Sequence, residues 1–318
     1  MIVNDSHCHF FSTELFAALA LQRQPPGPPP PRGSLMEAML EDAHRQLAVS
    51  ICDELGWETP GSVFTLADRW VRELDTHGVT RAALIASVPS DETSVAAAVA
   101  RHPDRFVGFF MLDPAAGDPV ARTRRAVGEL GLRGICLFPA MHHVPLHDDR
   151  IHQIVSVAAS NPGVAVFVHC GVLSVGVRKK LGLPNRFDLR LGDPLGVTKL
   201  AMAFPQVPFI IPHFGAGLFR EALMAADTCS NIYLDTSSSN GWMRYMPGMT
   251  LETAFRSALS VAGASRLLFG TDSSFFPRGW HKAIFETQKA TLDGLGVSAE
   301  DQALVLGGNF DRLFSARS

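Results

Sequence analysis

Three shortages narrow the problem before any motif is considered. The five cysteines (Cys8, Cys52, Cys136, Cys170, Cys229) are odd in number and never spaced Cys-x-x-Cys, which excludes a disulfide framework and a structural zinc knuckle. No apolar run approaches the roughly 18 residues of a membrane span, and no basic segment with an apolar core precedes the first strand. Charge of either sign is also scarce in excess: 28 Lys+Arg against 31 Asp+Glu leave a net charge of -3, with no basic block. Such a balance gives no bulk attraction to nucleic acid or an acidic membrane. The expectation is a cytoplasmic protein acting on a small molecule. No Gly-x-Gly-x-x-Gly follows the first strand and no Walker sequence occurs, which argues against a dinucleotide-binding sheet or a P-loop.

What is present is apolar residues in quantity. Over 318 residues, 47% are hydrophobic, enough to build a sizeable core in a single domain spanning residues 1–318. Short apolar runs recur: Ile2-Val3 leading into Asp5-Ser6-His7-Cys8-His9, then Arg81–Ser87, Arg105–Leu112, Arg133–Phe138, Val164–Val168, Phe209–Ile211, Asn231–Asp235 and Arg266–Gly270. Helical patterns separate most of them, at 92–101, 117–130, 148–160, 217–227 and 251–261. Strands that do not alternate with polar residues are buried on both faces, as parallel strands are. Eight such units in this length predict a (β/α)8 TIM barrel. Residues 10–78 are too long for a simple connection and read largely as an inserted helical segment over the barrel end, between strands 1 and 2. It includes a stiff proline run at 25–31, helical spacing over 35–49, and a helix from Leu66 to Thr76 stopped by Gly78.

The ends of these strands carry the chemistry. His7 and His9 share one face of strand 1, with Cys8 turned to the other. His169 ends strand 5, His213 strand 6, and Asp272 strand 8. Active sites of such barrels lie at the C-terminal strand ends. Imidazole and carboxylate are good donors for a divalent ion with a position left open for water. Cys136, Cys8 and Cys170 read as buried inert thiols.

The His-x-His after strand 1, VFVHCG around His169, IIPHFGAG around His213 and LLFGTDSSFF around Asp272 together resemble the amidohydrolase superfamily. More narrowly, they resemble the amidohydrolase-related branch that includes aminocarboxymuconate-semialdehyde decarboxylase and related hydrolases, and Gly308–Phe314 is similar to that branch's terminal helix. The resemblance implies one metal held by His7, His9, His169 and Asp272, with His213 beside the bound water. Two-metal relatives carry a lysine at the end of strand 4. Here that strand reads Gly134-Ile135-Cys136-Leu137-Phe138 with none, which implies a mononuclear site. Zn²⁺ is the expected ion, with Mn²⁺ or Fe²⁺ as alternatives. A homodimer is usual among such relatives.

A metal lowers the pKa of its water, and His213 and Asp272 are the groups to take or return the proton. That machinery serves a hydrolase of a small carboxylated or cyclic ester, lactone or amide. It equally serves a non-oxidative decarboxylase of an aromatic or muconate-like acid. A barrel without activity, used as a scaffold, is the remote alternative. For an anionic substrate, arginine grips carboxylate bidentately. Arg278, six residues past Asp272, is the first candidate, followed by Arg244 after strand 7 and by Arg178, Arg186 and Arg190 after strand 5. Trp242, Phe275 and Trp280 are candidates for an aromatic wall, and His142 and His143 for further substrate contacts.

Overall fold

Strand β1 (Asn4–Phe10) opens a run of eight parallel strands in the computed structural model, which describes residues 1–23, 35–238 and 240–315. The others are β2 (Arg81–Ala86), β3 (Phe106–Leu112), β4 (Gly134–Leu137), β5 (Ala165–Val168), β6 (Phe209–Ile211), β7 (Ile232–Asp235) and β8 (Leu267–Leu268). They pair in sequence order. Cys8 bridges to Ser273, His9 N donates to the Ser273 carbonyl at 2.7 Å and Asp272 N to the His7 carbonyl at 2.9 Å, so the last segment joins the first. The expected (β/α)8 barrel is the observed architecture. No helix among the described residues is long and apolar enough to cross a membrane.

The two-faced burial read from the sequence has a direct counterpart. Alternate residues Ala83, Ile85, Val107, Phe109, Cys136, Ala165 and Phe167 belong to the barrel lumen, while Ala82, Leu84, Phe110, Ile135, Val166 and Val168 pack outward under the helices. Cys8 and Cys170 lie in the outer layer, away from the histidines beside them. Burial pushes the thiols of Cys8, Cys136 and Cys170 up, out of thiolate range. Phe310 and Phe314 plug the lumen at the N-terminal strand ends, where Asn4 Nδ2 donates to Gly307 O and Arg81 pairs with Asp311 at 2.9 Å.

Beyond β1 come helices α1 (Thr13–Leu21), α2 (Leu35–Leu55) and α3 (Val63–His77). The proline run at 25–31 lies outside the described residues. Ser62 caps α3 by accepting from Thr65 N, and Gly78 ends it at φ 67°, the left-handed value that glycine takes without a Cβ penalty. Leu66, Trp70 and Leu74, spaced by a helical turn, join the outer core, so α3 lies in the ring around the barrel. In contrast, α1 and α2 form a small separate core with Val177, Leu181 and Leu183 from the segment after β5, which places them at the C-terminal strand ends. A helix at Leu195–Ala203, and another at Lys282–Gly294, were not read from the sequence.

Two anchors yield predictions. Asn309 Nδ2 donates to the carbonyls of Ala264 and Leu267, both at 2.7 Å, and so fixes the start of β8 from the last helix. Asn309→Ala strands two buried acceptors and should lower unfolding free energy by about 2–3 kcal/mol in urea titration. Asp91 accepts from Ser12 Oγ at 2.5 Å, tying the cap of α1 to the loop after β2, and burial raises its carboxyl from 3.8 to about 6. The folded state therefore holds a proton that the unfolded chain has released. Stability from this group falls as pH rises from 3.8 to about 6, by up to about 3 kcal/mol, and is level outside that window. The difference in unfolding free energy between wild type and Asp91→Asn should change across that window and stay flat from pH 7 to 8.

Candidate active site

The ligand-type residues meet at one rim because each lies in the C-terminal half of a strand of the same barrel or just past its end. His7 Nε2 and His9 Nε2 are 3.3 Å apart, His9 Nε2 is 3.1 Å from Asp272 Oδ1, and His7 Nε2 is 3.8 Å from the same oxygen. Tetrahedral bonds of about 2.1 Å to one ion put its donors about 3.4 Å apart, which matches the triangle.

The protons point the same way. Ser87 Oγ donates to Ile85 O at 2.9 Å, so at 2.7 Å from His9 Nδ1 it accepts, and Nδ1 carries the hydrogen. His7 Nδ1 lies 3.2 Å from the Asp235 carboxylate and is also the donor. Both Nε2 lone pairs are thereby bared toward the Asp272 carboxylate. Burial pulls His9 down, past what Asp272 restores, and so favours its neutral form. Burial pushes Asp272 up, but contacts with His9 and His7 outweigh it and keep the carboxyl ionised. Burial pulls His7 down as well, but the Asp235 carboxylate outweighs it and raises its pKa. Two imidazole nitrogens and an anion facing one point fit a divalent cation.

His169 is buried beside this triangle. Its ring stacks on Phe138 at 5.4 Å and meets His213 at 5.3 Å, and its Nδ1 has no hydrogen-bond partner among the described residues. Burial, then the neighbouring histidines, hold it well below the usual histidine range, ready to serve as a neutral donor. It does not share the close grouping of His7, His9 and Asp272. His213 stacks on His7 at 5.0 Å and directs Nδ1 at the Ser237 carbonyl (3.2 Å). A carbonyl only accepts, so Nδ1 holds the hydrogen and Nε2 is free to take one. Burial lowers its pKa too.

The backbone is strained here. Asp272 has φ 59° and His213 φ 56°, left-handed values uncommon outside glycine and maintained by the packing around them. Gly270 is required by crowding: a Cβ there would lie 2.9 Å from Ser237 Cβ and 3.0 Å from His7 Cβ.

Sequence reasoning missed the outer shell. Asp235, fully buried, accepts from His7 Nδ1, from Ser6 Oγ at 3.2 Å and from Ser237 N at 2.7 Å. Ser237 Oγ is 2.9 Å from Nδ1 of both His7 and His213. His7, His213 and Asp235 also form a grouping with metal-ligand spacing, but this hydroxyl links its two rings. The signal for Asp235 was available, an acid closing an apolar strand in NIYLD, as Asp272 does after LLFG. Carboxylates behind ligand histidines typically sustain about 10–100-fold of metal affinity. Asp235→Asn should weaken metal binding by that factor in a competitive chelator titration, with the fold intact by circular dichroism.

The candidates for substrate contact fare differently. Arg278 lies at the rim, its Nη2 donating to Asp272 O at 3.2 Å and Ser274 Oγ at 2.9 Å. Trp242 is instead buried, packed on Phe214 and Phe219 with Nε1 donating to Asn240. Trp280 is buried as well and donates to Asp5 Oδ2 at 2.7 Å; Asp5 also accepts from His7 N and from Thr271, joining β1 to the β8 loop. Arg244 turns its guanidinium to the Tyr245 hydroxyl and ring. Arg178 is engaged with Gln22 and Pro184 O, Arg190 with Asp188, and His143 with the Arg186 carbonyl. His142 packs against Phe138.

The solved 5-carboxyvanillate decarboxylase of Sphingomonas paucimobilis superposes with a TM-score of 0.63, at 16% identity over 99% of both chains. A zinc-bound amidohydrolase of Burkholderia multivorans gives 0.63 at 15% identity over the whole of both chains. A curated relative, Protein fluG of Emericella nidulans, is 26% identical over 143 residues, 44% of this chain but only 15% of that protein. The sequence model of the amidohydrolase family matches residues 5–315, nearly end to end. The chain is a member of the amidohydrolase family.

Proposed function

We propose that the protein is a metal-dependent hydrolase of a small carboxylated or cyclic ester, lactone or amide, with His7, His9, His169 and Asp272 holding one divalent ion. The observation that carries this reading is the Nε2–Nε2–Oδ1 triangle, whose edges of 3.3, 3.1 and 3.8 Å suit a single ion and whose lone pairs all face inward. Zn²⁺ suits two or three imidazoles and a carboxylate best, with Mn²⁺ and Fe²⁺ as the alternatives. When bound, the ion supplies a water of lowered pKa and polarises a substrate oxygen. His213, neutral and with Nε2 unencumbered, accepts the proton that the attacking water gives up and returns it to the leaving group. Asp235 and Ser237 hold the rings of His7 and His213 in register. Arg278 keeps guanidinium hydrogens for a substrate carboxylate.

A decarboxylase is the second reading, favoured by the full-length likeness to 5-carboxyvanillate decarboxylase. There His213 would deliver a proton to an unsaturated carbon before carbon dioxide leaves. Protein supplied with Zn²⁺ or Mn²⁺ should be tested against lactones, esters and amides in parallel with carboxylated phenols and muconate-like acids. Ring or ester opening without carbon dioxide supports the hydrolase, carbon dioxide release supports the decarboxylase, and absence of bound metal after supplementation would sink both.

A further inference from the structure

The only half-exposed tryptophan is not one of those the sequence singled out. Of the four, Trp70, Trp242 and Trp280 are buried, and Trp57 lies in the connection between α2 and α3. Its ring stacks face to face on Phe275, with centroids 3.8 Å apart and planes within 8°. Arg278 lies over the Phe275 ring at 4.6 Å. Lys180, from the segment after β5, lies over Trp57 at 5.4 Å. The same connection is bonded to the β8 loop through Glu58 N, which donates to Phe276 O at 2.9 Å. Phe11 links this group to the metal triangle, 6.2 Å from Trp57 and 5.8 Å from His9, centroid to centroid.

Phe275 is thus clamped between an indole and a guanidinium, and the second of these groups borders the site. Nη2 of Arg278 is spent on Asp272 O and Ser274 Oγ, while Nη1 and Nε have no partner among the described residues. A long side chain loses rotamer freedom when it grips a carboxylate, and an arginine already held on an aromatic face loses less. We infer that Trp57 is a positioning residue: through Phe275 it fixes Arg278 as the carboxylate-recognition group of the site, so the inserted segment sets the preference for anionic over neutral substrates. This rests on the reading of a carboxylated substrate given above.

The test is a selectivity ratio, measured by calorimetry on the intact metal-supplemented protein with 4-nitrobenzoate and its uncharged isostere 4-nitrobenzamide. Wild type should bind the acid at least about tenfold more tightly, and Arg278→Gln should erase the preference. Trp57→Ala should cut the preference at least about fivefold although Arg278 is intact, and Trp57→Phe should restore it to within about twofold. A purely structural loss would weaken both probes alike and leave the ratio unchanged. If Trp57→Ala does not fold, Phe275→Leu, which removes the ring between the indole and the guanidinium, carries the same expectation. No preference in wild type, or full preference in Trp57→Ala or Phe275→Leu, overturns the inference. Metal content of the same samples separates the two proposals: bound metal without acid preference leaves the metal site standing, and acid preference without metal does the reverse.

Discussion

A variant with alanine at both His7 and His9 is expected to emerge from metal supplementation with less than about a tenth of the wild-type metal and turnover reduced at least about a thousandfold. The two side chains supply two of the three corners of the triangle, and the pair that remains, Asp272 with the more distant His169, holds a divalent ion too weakly to keep it against water. His213→Ala should behave oppositely, keeping metal within about twofold while turnover falls about 10²–10⁴-fold, the usual contribution of a positioned acid or base. Its nearest contacts, stacking on His7 and a hydroxyl shared through Ser237, orient the ligands without completing the triangle. Metal analysis by mass spectrometry beside steady-state kinetics separates the pair. Full metal content in the double variant would remove the ligand assignment altogether.

The second large effect is one of backbone packing. Gly171 follows His169 by two residues and has φ 70°; a Cβ built there falls 2.1 Å from Gly215 O and 2.4 Å from Ala216 O. Those are main-chain atoms of the loop carrying His213, so neither a rotamer change nor a side-chain shift relieves the overlap. Val172 N donates to Ala216 O at 2.8 Å, which ties the two loops together at this contact. Gly171→Ala should therefore lose about 3–5 kcal/mol of unfolding free energy, adding overpacking to the left-handed penalty, and lose activity with it. Gly182→Ala is the control from the same segment: φ is 67°, but nothing lies within 4 Å of the added Cβ, so the loss should be about 1–2 kcal/mol. Equal losses in urea titration would mean that the interlocked loops play no special part.

The barrel was legible because each strand is a short apolar run buried on both sides, a pattern that depends on neighbours only in kind. The boundaries shifted by a residue or two where polar ends such as Arg105 and Arg133 flank the buried core. The rim positions of His7, His9, His169, His213 and Asp272 were legible for the same reason, since strand ends can be counted. The helix Leu195–Ala203 was not: it lies between β5 and β6 at the end of a long irregular connection, and its apolar face is short. Roles that depend on side-chain partners distant in the chain were not legible either. Trp242 and Trp280 follow strands 7 and 8 as a wall would require, yet packing turns both inward. Trp57 owes its place to a ring as distant as Phe275, and Ser87 its role to His9. Asp235 was readable and overlooked, its carboxylate closing strand 7 as plainly as Asp272 follows strand 8.

Closure of β1 against the segment after β8 has a bearing on how the protein comes into being. Two corners of the triangle are synthesised with the first strand of the barrel, and the third arrives only after the eighth. Domains generally form as units during translation, and contacts this distant in sequence are late and slow. A ribosome-bound chain that ends before Asp272 has both imidazoles but no carboxylate to complete their grip. Loading with metal thus waits for the eighth strand, and metal capture would report, molecule by molecule, that the barrel has closed.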